Sequence, residues 1–465
     1  MKLKQYIGDR QFYSRVFTVM LPVLVQNVIT NFVSLLDNLM VGQVGTEPMS
    51  GVAIVNQLLF VFILCVFGGL SGAGIFTAQY HGSGDEAGVR YTFRAKLWIA
   101  GGSVLLFALV FVQKGSALIS LFLHEGRDAL DLEATLDYGR RYLRVMLLEM
   151  VPFALTQVYA STLRETGETL LPMKAGILAV GVNLLLNYIL IFGKLGAPAL
   201  GVTGAAAATV CARCVECAIV AVWSHTHPAR CGYLRGVWRS WRIPRGLLRS
   251  IGVLGTPLLL NEVLWSAGMT TLNQCYSLRG LEVVSAQNIS STVSNLFFCA
   301  FLSMGTTVSI LIGQLLGAGE TERAVDEDRK LIAFSVVLCA LVGVVMALAA
   351  PFVPRLYNTT ALVKSLATRF LLVSSAMMPF SAFTNTCYFT LRSGGKVLIT
   401  FLFDSAFVWC VCIPLAFCLT RLTALPIVPV FLAVQSTEVI KCVSGYFLVK
   451  SRRWVNNLVA DKPEA

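Results

Sequence analysis

The sequence predicts an all-α integral membrane protein with twelve transmembrane helices in two pseudo-symmetric six-helix lobes. Three observations carry this. The 465-residue chain is 56% hydrophobic and 13% charged, against about 25% charged residues in a soluble domain. Its apolar residues gather into runs long enough to cross roughly 30 Å of hydrocarbon, which takes about 20 residues of helix. A Gly-rich interruption, FTAQYHGSGDEAGVR at 76–90, returns as ILIGQLLGAGETER at 310–323, so that Gln79, Gly82, Gly84 and Asp85 recur as Gln314, Gly317, Gly319 and Glu320, each 235 residues later.

The runs fall at 16–41, 51–80, 94–113, 140–163, 175–193, 200–223, 247–273, 286–315, 330–353, 370–390, 397–419 and 426–448. In lipid a backbone must satisfy its own hydrogen bonds, so each run is expected as a helix. The N-terminal MKLKQYIGDRQFYSR is basic and polar with no small-residue cleavage site after it, so the first helix is expected to stay. The repeat extends beyond the glycines. Pro22 matches Pro257, Asn38 matches Asn273 and Ile54 matches Ile289; further on, Pro152 pairs with Pro379 and Leu163-Arg164 with Leu391-Arg392. The expected organisation is an N-lobe of helices one to six (1–229), a basic linker (230–249) and a C-lobe of helices seven to twelve (250–465). Six is even, so both halves enter the membrane in the same direction, as parallel repeats with substrate bound between them. The Gly-rich stretches are turns whose glycines end a helix and permit positive φ.

A net charge of +12 raises nucleic acid as a partner. The distribution answers it. With the N-terminus inside, the cytoplasmic segments carry about twice the Lys and Arg of the external ones, as the positive-inside rule requires. The expectation is a multi-pass protein of the cell (inner, cytoplasmic) membrane with both termini cytoplasmic, embedded in the lipid bilayer, with no nucleic-acid partner. The linker RCGYLRGVWRSWRIPRGLLR is expected to lie on anionic lipid. Cys211, Cys214 and Cys217 sit at i, i+3, i+6 with no partner pair elsewhere and read as packing residues rather than metal ligands. No metalloprotease, nucleophile or phosphate-loop motif occurs, and the four His (His81, His124, His225, His227) fall at helix ends or in loops. An enzyme is not expected, nor a cofactor.

Helix one carries Asn27, Asn31, Ser34 and Asn38 as one stripe, with Asp37 beside it; helix seven carries Glu262, Ser266, Met269 and Asn273 at the matching positions. Such stripes face protein or water, not lipid. Helix–helix hydrogen bonding accounts for the amides and hydroxyls. It accounts poorly for isolated carboxylates, which makes Asp37 and Glu262 functional candidates. Asp37 is matched by Leu272, and Glu262 by Asn27, so the halves share a scaffold without sharing a charge pattern. Glu262, Trp265, Met269 and Asn273 offer an acidic, aromatic surface for an organic cation, although Trp265 and Met269 equally suit core packing. In helix five, Asn183 and Asn187 at i, i+4 suit a hard cation or a bridge to a neighbouring helix. Arg213 with Glu216, and Glu438 with Lys441, read as neutralised structural pairs at i, i+3. Asp404 is a further candidate site residue, with snorkelling or pairing with Lys396 as its structural readings, and Glu149 is expected to pair with Arg144 or Arg141. Pro22 and Pro257 are expected to loosen their helices as hinges.

These residues also carry a resemblance. PMKAGILAVGVNLLLNYILIFGKLGAPALGVTGAAAAT at 172–209, SLLDNLMVGQVG at 34–45, the QYHGSGDEAGVR turn and the Leu-Arg turns at Leu163 and Leu391 resemble the multidrug and toxic compound extrusion (MATE) family over nearly the whole chain. The resemblance implies a monomeric secondary antiporter that exports small-molecule organic cations in exchange for H⁺ or Na⁺ by alternating access. It implies a cation-coupling site at Asp37, Asn183, Asn187 and Thr209, with Na⁺ possible at Asp37. Asn187 stands where the family pattern often has Asp. A lipid-linked oligosaccharide or lipid flippase of the related superfamily is the alternative. It calls for a cationic cavity, whereas Arg213 and Lys441, the intramembrane bases, both have acidic neighbours.

Overall fold

The computed structural model describes residues 5–122, 132–357 and 359–460; His124 and the side chains of residues 33–35, 38, 39 and 46 lie outside that description. The first repeat comprises α1 (Arg10–Gly42), α2 (Thr46–Gly82), α3 (Glu86–Ser120), α4 (Leu132–Met146), α5 (Met150–Glu165), α6 (Leu170–Phe192) and α7 (Val202–Thr226). The second begins with α8 (Arg245–Ser277), α9 (Leu281–Gly317), α10 (Thr321–Ala349) and α11 (Ala361–Ser393). Among the described residues, eleven helices are long and apolar enough to cross a membrane, and twelve when α4 and α5 count as one span bent by 49°. The all-helical, multi-pass expectation therefore holds.

Four spans differ from the uniform helices expected. The fourth starts at Leu132 and breaks before Met150. Pro152 lies just after the break, in the first turn of α5, where its missing N–H is harmless. The tenth starts at Ala361, earlier than the expected 370. The Thr360 hydroxyl caps it by accepting from the Val363 N–H at 3.3 Å. The eleventh and twelfth are interrupted. Val397–Leu422 is α12 (Val397–Phe401), π-helical stretches at Leu402–Ala406 and Val408–Cys412, then α13 (Ile413–Leu422). The twelfth is α14 (Ile427–Gln435) and α15 (Glu438–Lys450), parted at Ser436 and Thr437.

Contacts group the described residues into two compact units, one of residues 5–24, 78–85 and 256–460, the other of residues 25–77 and 86–255. Two of the cuts fall inside α1 and α8, close to Pro22 and Pro257, and two more bracket residues 78–85 at the end of α2. Both prolines lie within uninterrupted helices.

In the first unit, Phe12, Val16 and Met20 of α1 share a buried apolar cluster with Met304, Val308 and Ile312 of α9, and with Leu331, Leu391 and Trp454. The Gly-rich stretches belong here. α2 ends at Gly82 and α9 at Gly317, followed by Gly84 at φ +73° and Gly319 at φ +80°. The two helix ends touch: a Cβ on Gly82 would fall onto the Gln314 carbonyl, and one on Gly317 onto the Gln79 carbonyl. Only glycine permits that approach. Gln79 is fully buried beside it. Its Nε2 donates to the carbonyls of Ser393 (3.0 Å) and Asn456 (3.3 Å), and its Oε1 accepts from the Leu458 N–H (2.7 Å).

In the second unit the basic linker is folded, with two short 3₁₀ turns at Gly232–Leu234 and Val237–Arg239. Arg94 of α3 donates to the carbonyls of Val237 (2.9 Å), Gly236 (3.0 Å) and Arg242 (3.2 Å), and Arg90 to that of Tyr233 (3.0 Å). α6 ends on Gly193 at φ +66°. Gly204 then lets α7 return against α6, for a Cβ there would stand 2.5 Å from the Leu190 carbonyl oxygen. This hairpin sets Thr209 opposite the helix-five amides.

Candidate cation sites

In the second unit α1 supplies Asp37, α6 supplies Asn183 and Asn187 one turn apart, and α7 supplies Thr209. Asn187 Nδ2 donates to Asp37 Oδ1 at 2.7 Å and to Asn183 Oδ1 at 3.1 Å, and Asn183 Nδ2 donates to Thr209 Oγ1 at 3.3 Å. Turned over, the Asn183 amide donates to both Asp37 oxygens, at 2.9 and 3.2 Å, and accepts from Thr209. In both orientations the four residues form one network. Asn187 is buried and its Oδ1 has no hydrogen-bond partner, a cost of about 1–3 kcal/mol for a buried polar group. One carboxylate, two amide oxygens and a hydroxyl make an all-oxygen donor set suited to a hard cation. Asn31, on the same helix, is exposed and donates to the Asn27 carbonyl at 3.0 Å. Asn38 has its side chain outside the description.

Next to this network Arg213 of α7 binds Glu149 (3.2 Å) and Glu216 (2.8 Å), with its guanidinium 5.5 Å from the Phe153 ring centroid. The Glu216 pairing is as expected; that of Glu149 is not. Glu149 sits at the α4–α5 bend, which turns it towards α7, while Arg141 pairs with Asp137 at 2.6 Å.

In the first unit Asp404 lies in the first π-helical stretch. Its partner is Lys441 at 3.4 Å, not Lys396. Lys396 precedes it by eight residues, about 12 Å along a helix, beyond comfortable side-chain reach. Lys441 also meets Glu438 at 3.4 Å, and Thr384 Oγ1 donates to Glu438 at 2.8 Å. Asn261 of α8, buried, donates to Asp404 (3.2 Å) and accepts from the Ser405 hydroxyl (2.7 Å). Sequence reasoning passed over Asn261 in favour of its neighbour. Glu262 lies within electrostatic reach of Asp404 and Arg392 but outside the Asp404 hydrogen-bond network. The rest of the α8 stripe does not converge on it. Met269 packs against the buried cluster of Leu272 and Tyr276, while Trp265 and Asn273 are exposed.

A further charged pair, which the sequence analysis does not single out, lies near the start of the run 94–113 and just past the end of the run 140–163. Lys96 of α3, fully buried, reaches Glu165 (2.5 Å), Thr162 (3.0 Å) and Ser161 (3.1 Å). In the second repeat the matching threonine, Thr390, donates instead to buried Asp328 at 2.5 Å.

Twelve apolar spans in two repeats, with carboxylates and amides held inside, define a polytopic membrane protein of transporter architecture. The MatE family model matches residues 22–189 and 257–418, most of the chain, and the chain belongs to that family of membrane transporters. It is 24% identical over 444 residues to the probable multidrug resistance protein NorM of Thermotoga maritima, covering 94% of this chain and 92% of that one. It is 24% identical over 452 residues to the probable multidrug resistance protein YoeA of Bacillus subtilis (95% and 94%). Among solved structures, an outward-facing multidrug resistance MATE family transporter of the MOP superfamily superposes with a TM-score of 0.84 at 20% identity, over 97% of this chain and 98% of that one. A Vibrio cholerae MATE transporter superposes with a TM-score of 0.85 at 20% identity, over 95% and 97%.

Proposed function

We propose that the protein exports cationic amphipathic compounds across the cell membrane in exchange for H⁺ or Na⁺, by alternating access between its two repeats. The observation that carries this is the Asp37–Asn187–Asn183–Thr209 network. It joins three helices through one carboxylate and leaves one amide oxygen unpartnered. A bound cation would draw the Asn187 oxygen and the carboxylate together and shift α1 against α6. Pro22 and Pro257, near the unit cuts in α1 and α8, are the places where those helices yield to such a shift. With Asn187 in place of a second carboxylate, one cation charge neutralises the site. The names of the relatives support multidrug export as the cargo class. The proposed setting is a monomer in the inner membrane with both termini cytoplasmic. A flippase for anionic lipid-linked cargo is disfavoured, because Arg213 and Lys441 each face two carboxylates.

Ethidium efflux from everted vesicles under an imposed H⁺ or Na⁺ gradient tests the reading. One gradient is expected to drive efflux by the native chain, and Asp37→Asn to bring it to the level of empty vesicles. Efflux undiminished in Asp37→Asn would remove the coupling assignment; no efflux under either gradient would remove the exporter reading.

A further inference from the structure

The bases at the two ends of α10 differ in what they meet. At its start, beside the Gly-rich stretch, Arg323 binds Glu320 (2.7 Å) and Glu327 (2.9 Å), Lys330 binds Asp326 (2.6 Å), and Arg15 of α1 reaches Glu327 (2.6 Å). Past its other end the acids run out. No Asp or Glu occurs between Asp328 and Asp404, and the middle of that stretch carries Arg355, Lys364 and Arg369. Among the described residues none of these three makes an ion pair.

The fold gathers the three at one cavity of about 370 Å³, in the size range of small-ligand sites. Arg355 comes from a short 3₁₀ turn, Val353–Leu356, and Lys364, Ser365, Thr368 and Arg369 from the first turns of α11. The four α11 residues stand at i, i+1, i+4 and i+5 and so share a face. Lys364 is half-buried, while Arg355 and Arg369 are exposed. Three cations and two hydroxyls, with no acid in the lining, make an anion site, and guanidinium groups favour the paired oxygens of a phosphate.

The level of the cavity in the membrane selects what carries the phosphate. α10 ends and α11 begins here, and both are membrane spans. α11 has 33 residues, about 50 Å of helix against roughly 30 Å of hydrocarbon. Its apolar run begins only at residue 370, so the turns that hold Lys364 and Arg369 stand among the headgroups. Apolar side chains flank the bases. Phe352, Leu356 and Leu362 are 63%, 84% and 57% exposed, and the Arg355 guanidinium lies 5.7 Å from the Phe352 ring centroid. Cations beside exposed apolar surface at the end of a span match a phosphate above its acyl chains.

We propose that this cavity binds the phosphate group of an anionic phospholipid, with Arg355, Lys364 and Arg369 on the phosphate and Phe352, Leu356 and Leu362 along the acyl chains. The lipid is a resident of the α10–α11 connection and not transported cargo, so the proposal stands apart from the exporter reading.

The test is native mass spectrometry of the purified full chain in detergent, titrated with phosphatidylglycerol and, separately, with phosphatidylcholine. The native chain is expected to hold one phosphatidylglycerol about tenfold more tightly than phosphatidylcholine. Arg355→Gln, Lys364→Gln and Arg369→Gln should each weaken that lipid about fivefold, and the triple variant by on the order of a hundredfold. The single variants keep the test decisive if the triple variant folds poorly. Arg421→Gln removes an exposed base elsewhere in the same unit and should leave the affinity unchanged. Glycerol 3-phosphate, the same group without acyl chains, should not displace the lipid at equal concentration. The inference is overturned if the Gln variants bind phosphatidylglycerol like the native chain, if the native chain does not prefer it to phosphatidylcholine, or if Arg421→Gln loses as much as they do. Displacement by glycerol 3-phosphate would make the cavity a site for a free phosphate and remove the lipid assignment.

Discussion

Arg213 shows how a single residue sets the terms for its neighbours. It pairs with Glu149 and Glu216 at once, and does so next to the Asp37 network. Removing one partner of a buried ion pair costs about 3–5 kcal/mol, because the other is left uncompensated. Arg213→Met is therefore expected to lower the melting temperature of the detergent-solubilised protein by several degrees, and Glu149→Gln in the same background to recover part of that loss. If Arg213→Met melted like the native chain, the triad would be dispensable to the fold. Lys96 and Asp328 make the same point across the repeats. One buried threonine position meets a base in the first half and an acid in the second, so evenly matched backbones carry opposite local charge.

At the scale of elements, the crossing of α2 and α9 explains why two oily helices stop at glycine. Two kinds of glycine are present and they should respond differently. Gly84 has a positive φ and open space around it. Gly84→Ala is expected to cost about 1–2 kcal/mol, the strain of a left-handed residue, and to leave a folded protein. Gly317→Ala places a methyl group on the Gln79 carbonyl, where the obstacle is backbone and cannot turn aside. That variant is expected to lose its monodisperse peak in fluorescence-detected gel filtration. A normal profile for Gly317→Ala would show that the helix ends can part. The distorted eleventh and twelfth spans carry a second lesson at this scale. Their hydropathy suffices for a membrane crossing, yet it does not report where the helix widens or breaks, and those are the places that hold Asp404 and Glu438.

At the scale of the whole molecule, the basic linker joins the repeats as a folded piece. Arg94 is mostly buried and binds three linker carbonyls, while Arg235, Arg239 and Arg242 are exposed. Arg94→Ala is expected to speed tryptic cleavage after those exposed arginines at least severalfold in the intact protein, read by mass spectrometry. Cleavage at the native rate would mean that the linker holds its shape without the guanidinium.

The sequence by itself determined the class of molecule. Apolar run length, the 235-residue repeat and the one-sided distribution of Lys and Arg are properties of the chain read along its length, and the bilayer admits few structures for such a pattern. The same holds for Asp37, Asn183, Asn187 and Thr209, whose local motifs carried the resemblance and which the α6–α7 hairpin and α1 bring together. What tertiary structure decided was pairing. Glu149 meets Arg213 because α4 and α5 bend between them, Asp404 meets Lys441 because the twelfth span lies beside a widened eleventh, and Asn261 rather than Glu262 holds Asp404. Hydropathy and helical periodicity place a side chain on a face of its own helix. They do not say which helix lies opposite, and for a charge inside a membrane the group opposite determines whether it stabilises the fold or is free to exchange.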